Sequence, residues 1–133
     1  MALACAVATC CSAASAASVA ADVSLVNLIA SPARYHGKTV RVVGVLMLAP
    51  ERNALYLHRE DMENHISLNA IWLSLNPDGS DRSYRGLSGR YVFVEGRFDQ
   101  TFKGHWGRYS GSIRAITRIE AWQPPPAGPL KED

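Results

Sequence analysis

His58, Glu60, Asp61 and His65 form the densest set of potential ligand side chains in the chain. Two imidazoles and a carboxylate would suit zinc or another borderline metal. Their spacing matches no metal signature, however. A polar turn, with Glu60, Asp61 and Glu63 favouring a helix start, accounts for the same residues. His36 and His105 lie far off in the chain, and nothing ties them to this set. Nucleophilic chemistry has less to stand on. No serine sits in a G-x-S-x-G elbow, and Cys5, Cys10 and Cys11 all fall in the first eleven residues. There is no glycine-rich loop of the phosphate-cradling or dinucleotide type. No catalytic residue, metal ligand or cofactor is assigned, and the balance is against an enzyme.

Contact chemistry is better represented. Between Gly79 and Arg118 eight Lys or Arg stand against three acids, with Tyr84, Tyr91, Phe93, Phe102, Trp106 and Tyr109 interleaved. Rings beside guanidinium groups can stack on bases or on sugar faces while the cations bond polar groups. The residues expected to bind a ligand are Tyr84, Arg90, Tyr91, Phe93, Arg97, Trp106 and Arg108. Trp106 lies in a Gly-flanked loop, GHWG, where the commoner fate of such a ring is to fold back and plug a barrel end. The partner would be a protein, a glycan or a small polar ligand. Nucleic acid is less favoured, because a net charge of +2 on 133 residues leaves little basic footprint.

These side chains need a scaffold, and Lys38–Met47 (KTVRVVGVLM) is its centre. β-Branched residues make it a strand with Val40 and Val42 on one face and Thr39, Arg41 and Val43 on the other. Gly44 marks a bend of the kind small barrels use. Further strands are expected at Ala54–His58, with Leu55 and Leu57 inward and Tyr56 and His58 outward, and at Asn69–Leu75. Two more follow at Gly89–Phe98 and Ser112–Trp122. In the fourth, Val92, Val94, Gly96 and Phe98 point in, and Tyr91, Phe93, Glu95 and Arg97 point out. Ser24 caps a helix running to about Ser31, with Leu25, Val26, Leu28 and Ile29 as its apolar stripe. Trp72 would pack on that helix or line a groove, and Trp122 would clamp the chain end. Arg59–Asn64 reads as one helical turn or a loop, and 76–89 as the longest polar loop. Tyr35-His36-Gly37 reads as structure, with Gly37 in a left-handed turn and His36 facing solvent or bonded to a loop carbonyl.

The fold class that follows is mainly β: a small five-stranded barrel like the oligonucleotide/oligosaccharide-binding (OB) fold, with an N-terminal helix before strand one. Whether it closes is left open. Residues 1–21 carry no charge and are rich in Ala and Ser, which reads as a signal peptide or a disordered leader. Residues 22–122 make the barrel domain, and 123–133 a Pro-rich disordered tail. No stretch suits a transmembrane span in the mature chain. The strings LVNLIASPARYHGKTVRVVGVL, NALYLHREDMEN, NAIWL, GRYVFVEGRF and GRYSGSIRAITRIEAW resemble a small group of uncharacterised bacterial proteins with an OB-like domain, over Val23 to Trp122. That resemblance implies a fold and, often, an exported or envelope setting; the leader itself points to a periplasmic or secreted protein, with Cys10 or Cys11 after Val7-Ala8-Thr9 as the alternative site of a lipid anchor. It implies no residue roles.

Overall fold

The computed structural model describes residues 19–75 and 83–128; the expectations for most of the leader, part of the long loop and the chain end lie outside the described residues. The chain runs β1 (Ala21–Asp22), α1 (Leu25–Ala30), α2 (Pro32–Tyr35), β2 (Thr39–Met47), β3 (Ala54–Tyr56), α3 (Arg59–Glu63), β4 (Ala70–Leu73), β5 (Tyr91–Asp99) and β6 (Ser112–Ala121). β2, β3, β4, β6 and β5 pair in that order and return to β2, closing a five-stranded mixed barrel. β4 and β6 are parallel; the other barrel pairs are antiparallel. β1 pairs in parallel with Val40 and Arg41. The fold class expected from sequence is therefore found, with the helix before the first barrel strand.

Two glycines make closure possible. β2 pairs β5 through Val45 and β3 from Val45 onward, so it serves both sides of the barrel and turns between them at Gly44. A Cβ on Gly44 would sit 2.7 Å from Leu55 Cγ and from the Tyr56 carbonyl oxygen. Gly96 does the same for β5. Its register with β6 shifts between Glu95 and Arg97, and the strands approach there too closely for a side chain. Opposite this shift Ala115 takes φ +47°, a conformation that L-residues pay strain to adopt. Ala115→Gly is expected to stabilise the fold by about 0.5–1 kcal/mol in urea denaturation, because the relief of strain outweighs the added chain entropy.

Alternation filled the barrel as expected. Val40, Val42, Leu55, Ile71, Leu73, Val92, Val94, Phe98 and Ile113 are fully buried in one cluster, which Leu25 and Leu28 of α1 join. Ser24 caps α1 by accepting from the Asn27 N–H at 3.2 Å. Only part of the expected stripe is buried, since Val26 is 52% exposed. Tyr35 packs against the same core, and Gly37 is in the left-handed region at φ +76°.

Tyr56 points away from the barrel, as expected, yet is only 2% exposed. The reason is a second apolar cluster outside the wall, made of Val45, Ala54, Tyr56, Ala70 and Tyr109 with Met47, Met62 and Trp72 against it. The loop after β5 supplies Tyr109 and α3 supplies Met62, so the outer face of β3 and β4 is roofed. Trp72 packs under this roof, 5.4 Å from Tyr109 between ring centroids, rather than against α1.

Candidate functional site

A groove of about 720 Å³ runs across the outer wall of β2, β5 and β6. Arg41 and Val43 of β2, Phe93 of β5 and Arg118 of β6 form its floor; Val23–Leu25, Leu57 and Trp122 form its sides. Strand register explains the floor. Val43 lies opposite Phe93, and Arg41 opposite Glu95, which is opposite Arg118. These residues share the outer face because each strand alternates in step with its neighbour.

The floor is charge-balanced. Arg41 Nη2 and Nε donate to Glu95 Oε2 at 3.0 and 3.2 Å, and Nη1 reaches Asp22 Oδ1 at 3.4 Å. Arg118 grips Glu120 through two bonds of 3.1 Å. The Arg41 hydrogen bond holds the Glu95 carboxyl below its ordinary range, with help from the Thr117 hydroxyl and against some burial. The Glu120 hydrogen bond and charge push the Arg118 guanidinium further toward its protonated form. Arg118 also lies over the Phe93 ring, 4.8 Å from its centroid. One face of Phe93 is thereby occupied, so the ring is not open on both sides for stacking. Trp122 is 42% exposed at the rim, and its main-chain N–H donates to the Tyr91 carbonyl at 2.9 Å. That main-chain bond extends the β5–β6 pairing to the end of the strand.

A second, smaller cleft of about 260 Å³ surrounds the β2–β3 turn, lined by Pro50, Glu51, Arg52, His105, Trp106, Arg108 and Tyr109. His105 Nε2 lies 3.3 Å from Glu51 Oε2 and meets the Trp106 ring edge-on. Trp106 is 77% exposed. The plug expected for it does not form: the ring stands in solvent, on a backbone at φ +60° between Gly104 and Gly107. Gly104 explains this. It abuts both Trp72 and Tyr109, so the space beneath the loop is already filled.

The seven expected contact residues are thus spread over the molecule. Phe93 floors the wall groove, and Tyr91 stands 41% exposed next to it on the same strand face. Trp106 and Arg108 line the turn cleft. Tyr84 lines an adjoining hollow with Pro50, Glu51 and Arg85. Arg90 and Arg97 are exposed at opposite ends of β5; Arg97 lies opposite Thr39 and Arg114, away from the groove. Sequence reasoning missed Arg41, Val43, Arg118 and Trp122 as companions of Phe93. The alternation of each strand put them on outer faces, but no local signal said which outer faces are neighbours. His58, Glu60, Asp61 and His65 do not converge. His65 Nδ1 instead lies 3.5 Å from Arg52 Nη1, and no three His, Cys, Asp or Glu among the described residues come together to hold a metal. His36 is exposed, the first of its two expected placements, and its Nδ1 accepts from the Gln100 N–H at 3.2 Å instead of bonding a loop carbonyl. No described helix is long and apolar enough to cross a membrane. Comparison with protein-family models, with curated proteins and with solved structures found no match to this chain.

Proposed function

We propose that this chain is a non-catalytic binding module on an OB-like barrel, working in the bacterial envelope and taking a neutral polar ligand such as a glycan in the wall groove. The observation that carries this reading is the composition of the groove. It joins apolar surface from Phe93, Val43, Leu57 and Trp122 to arginines that already have carboxylate partners. A polyanion gains little from neutralised cations, because its affinity comes from releasing counterions to free Lys and Arg. A sugar gains from both halves of such a floor: an apolar ring face against aromatic carbon, and hydroxyls against fixed polar groups. The uncharged leader and the strings resembling bacterial OB-like proteins support the setting.

A second reading is single-stranded nucleic-acid binding at the turn cleft. Exposed Trp106 next to Arg108, which has no ion pair among the described residues, favours it. Titration with neutral oligosaccharides and with single-stranded oligonucleotides, followed by tryptophan fluorescence, separates the two. The glycan reading expects saturable binding to an oligosaccharide that changes little between about 50 and 200 mM salt. It expects Trp122→Ala to weaken that binding about tenfold or more. Oligonucleotide binding that falls steeply with salt and is lost in Trp106→Ala would put the second reading in its place.

A further inference from the structure

β6 has neighbours on both edges only at its start. Ser112 and Ile113 pair with β4, whereas β5 accompanies the strand to Ala121. From Arg114 on, the edge away from β5 meets no main-chain partner among the described residues. Alternation tells which groups stand on that edge. The Trp122 N–H donates to Tyr91, Glu120 is opposite Phe93, and Arg118 is opposite Glu95. Arg118, Glu120 and Trp122 therefore direct their main-chain groups to β5. The C=O of Thr117, and the N–H and C=O of Ile119 and Ala121, point the other way. Thr117 is exposed, and Ile119 and Ala121 are half-buried. An open edge of this kind is a template for another strand.

The edge is complementary to itself. With Ile119 opposite the partner's Ile119 in an antiparallel pair, the two isoleucines exchange two hydrogen bonds. Each Ala121 N–H then reaches the partner's Thr117 carbonyl, adding two more. The same register sets Arg118 against the partner's Glu120 and Glu120 against the partner's Arg118. Sliding to the next permitted register in either direction sets Arg118 against Arg118, or Glu120 against Glu120. Like charges directly opposite are unfavourable, so the side chains select the one register in which opposite charges meet. The run is bounded by the irregular turn at Ala115 on one side and by Pro124–Pro126 on the other, neither of which can continue a ladder. We propose that the free edge of β6 is a self-association surface, over which two copies of this chain pair β6 with β6 antiparallel about a two-fold axis at Ile119.

Sedimentation equilibrium of the full chain tests this. Four main-chain bonds and a short strand make a small interface, so a dimer with Kd between about 10 µM and 1 mM is expected. Glu120→Arg alone, and Arg118→Glu alone, should each raise Kd about tenfold, and the two together should restore it. Ala121→Pro removes an N–H that β5 does not use and should also raise Kd about tenfold; circular dichroism and a thermal melt show whether each variant remains folded. A chain that stays monomeric to about 2 mM overturns the proposal. So does a dimer whose Kd ignores the single reversals, or one that the double exchange fails to restore.

Discussion

A methyl group at Gly96 is expected to cost about 2–4 kcal/mol of folding free energy. Its Cβ would lie 2.6 Å from Ile113 Cγ2 and 2.8 Å from the Arg114 carbonyl oxygen, with Ile116 Cα at 3.2 Å. Two of those three atoms are main chain, so no rotamer change relieves the contact. The strands must instead part where β5 and β6 shift register. Gly44→Ala should cost a similar amount, with part of the clash taken up by the flexible end of Leu55. The melting temperature should fall by about 10 °C in each. Gly86→Ala serves as the control: its Cβ would meet nothing within 4 Å and its φ is ordinary, so a change below about 0.5 kcal/mol is expected. Urea denaturation that ranks Gly96→Ala with Gly86→Ala would show that the barrel does not close through this contact.

The second large effect appears in alkali. Burial under the Tyr109 roof pushes the Tyr56 phenol up from its ordinary 10.0 to about 12, and the neighbouring Tyr109, through its charge and its hydrogen bond, pushes the same way. Arg52 opposes them weakly. In the unfolded chain the phenol loses its proton near pH 10, while in the fold it keeps the proton until about pH 12. Between those values the folded state binds more protons than the unfolded one, so stability falls as pH rises. The contribution is fully present below pH 10 and lost progressively up to pH 12, amounting to about 2–3 kcal/mol. Tyr56→Phe removes the titrating group. The mutant should lose about 1 kcal/mol at neutral pH, for the missing hydrogen bond, but should lack this part of the alkaline slope. Urea denaturation at pH 9, 10, 11 and 11.5, with phenolate absorbance followed in parallel, measures both. Equal slopes in the two proteins would mean that Tyr56 is not shielded by the second cluster.

Much of the barrel was legible from residue order. The alternation in β2 and β5 named the buried Val40, Val42, Val92, Val94 and Phe98, because a period of two assigns every residue of a half-buried strand to one side. Ser24 announced the cap of α1 through a local hydrogen bond. Gly44 announced a bend, since little else excuses a glycine inside a valine-rich strand.

What residue order could not supply is anything that depends on which distant faces meet. Tyr56 and Tyr109 are 53 positions apart, and nothing local to either says that one roofs the other. Trp106 carries the same local pattern whether it plugs the barrel or stands in water; Trp72 and Tyr109 had already filled the space below Gly104. The groove follows the same rule. Arg41, Phe93 and Arg118 come from three strands, and their registers placed them together. Sequence alone determined which way each side chain points from its own strand, because backbone geometry sets that. Tertiary structure alone decided which outward faces are covered, which stay open, and which cations meet carboxylates, because those depend on closure of the ring.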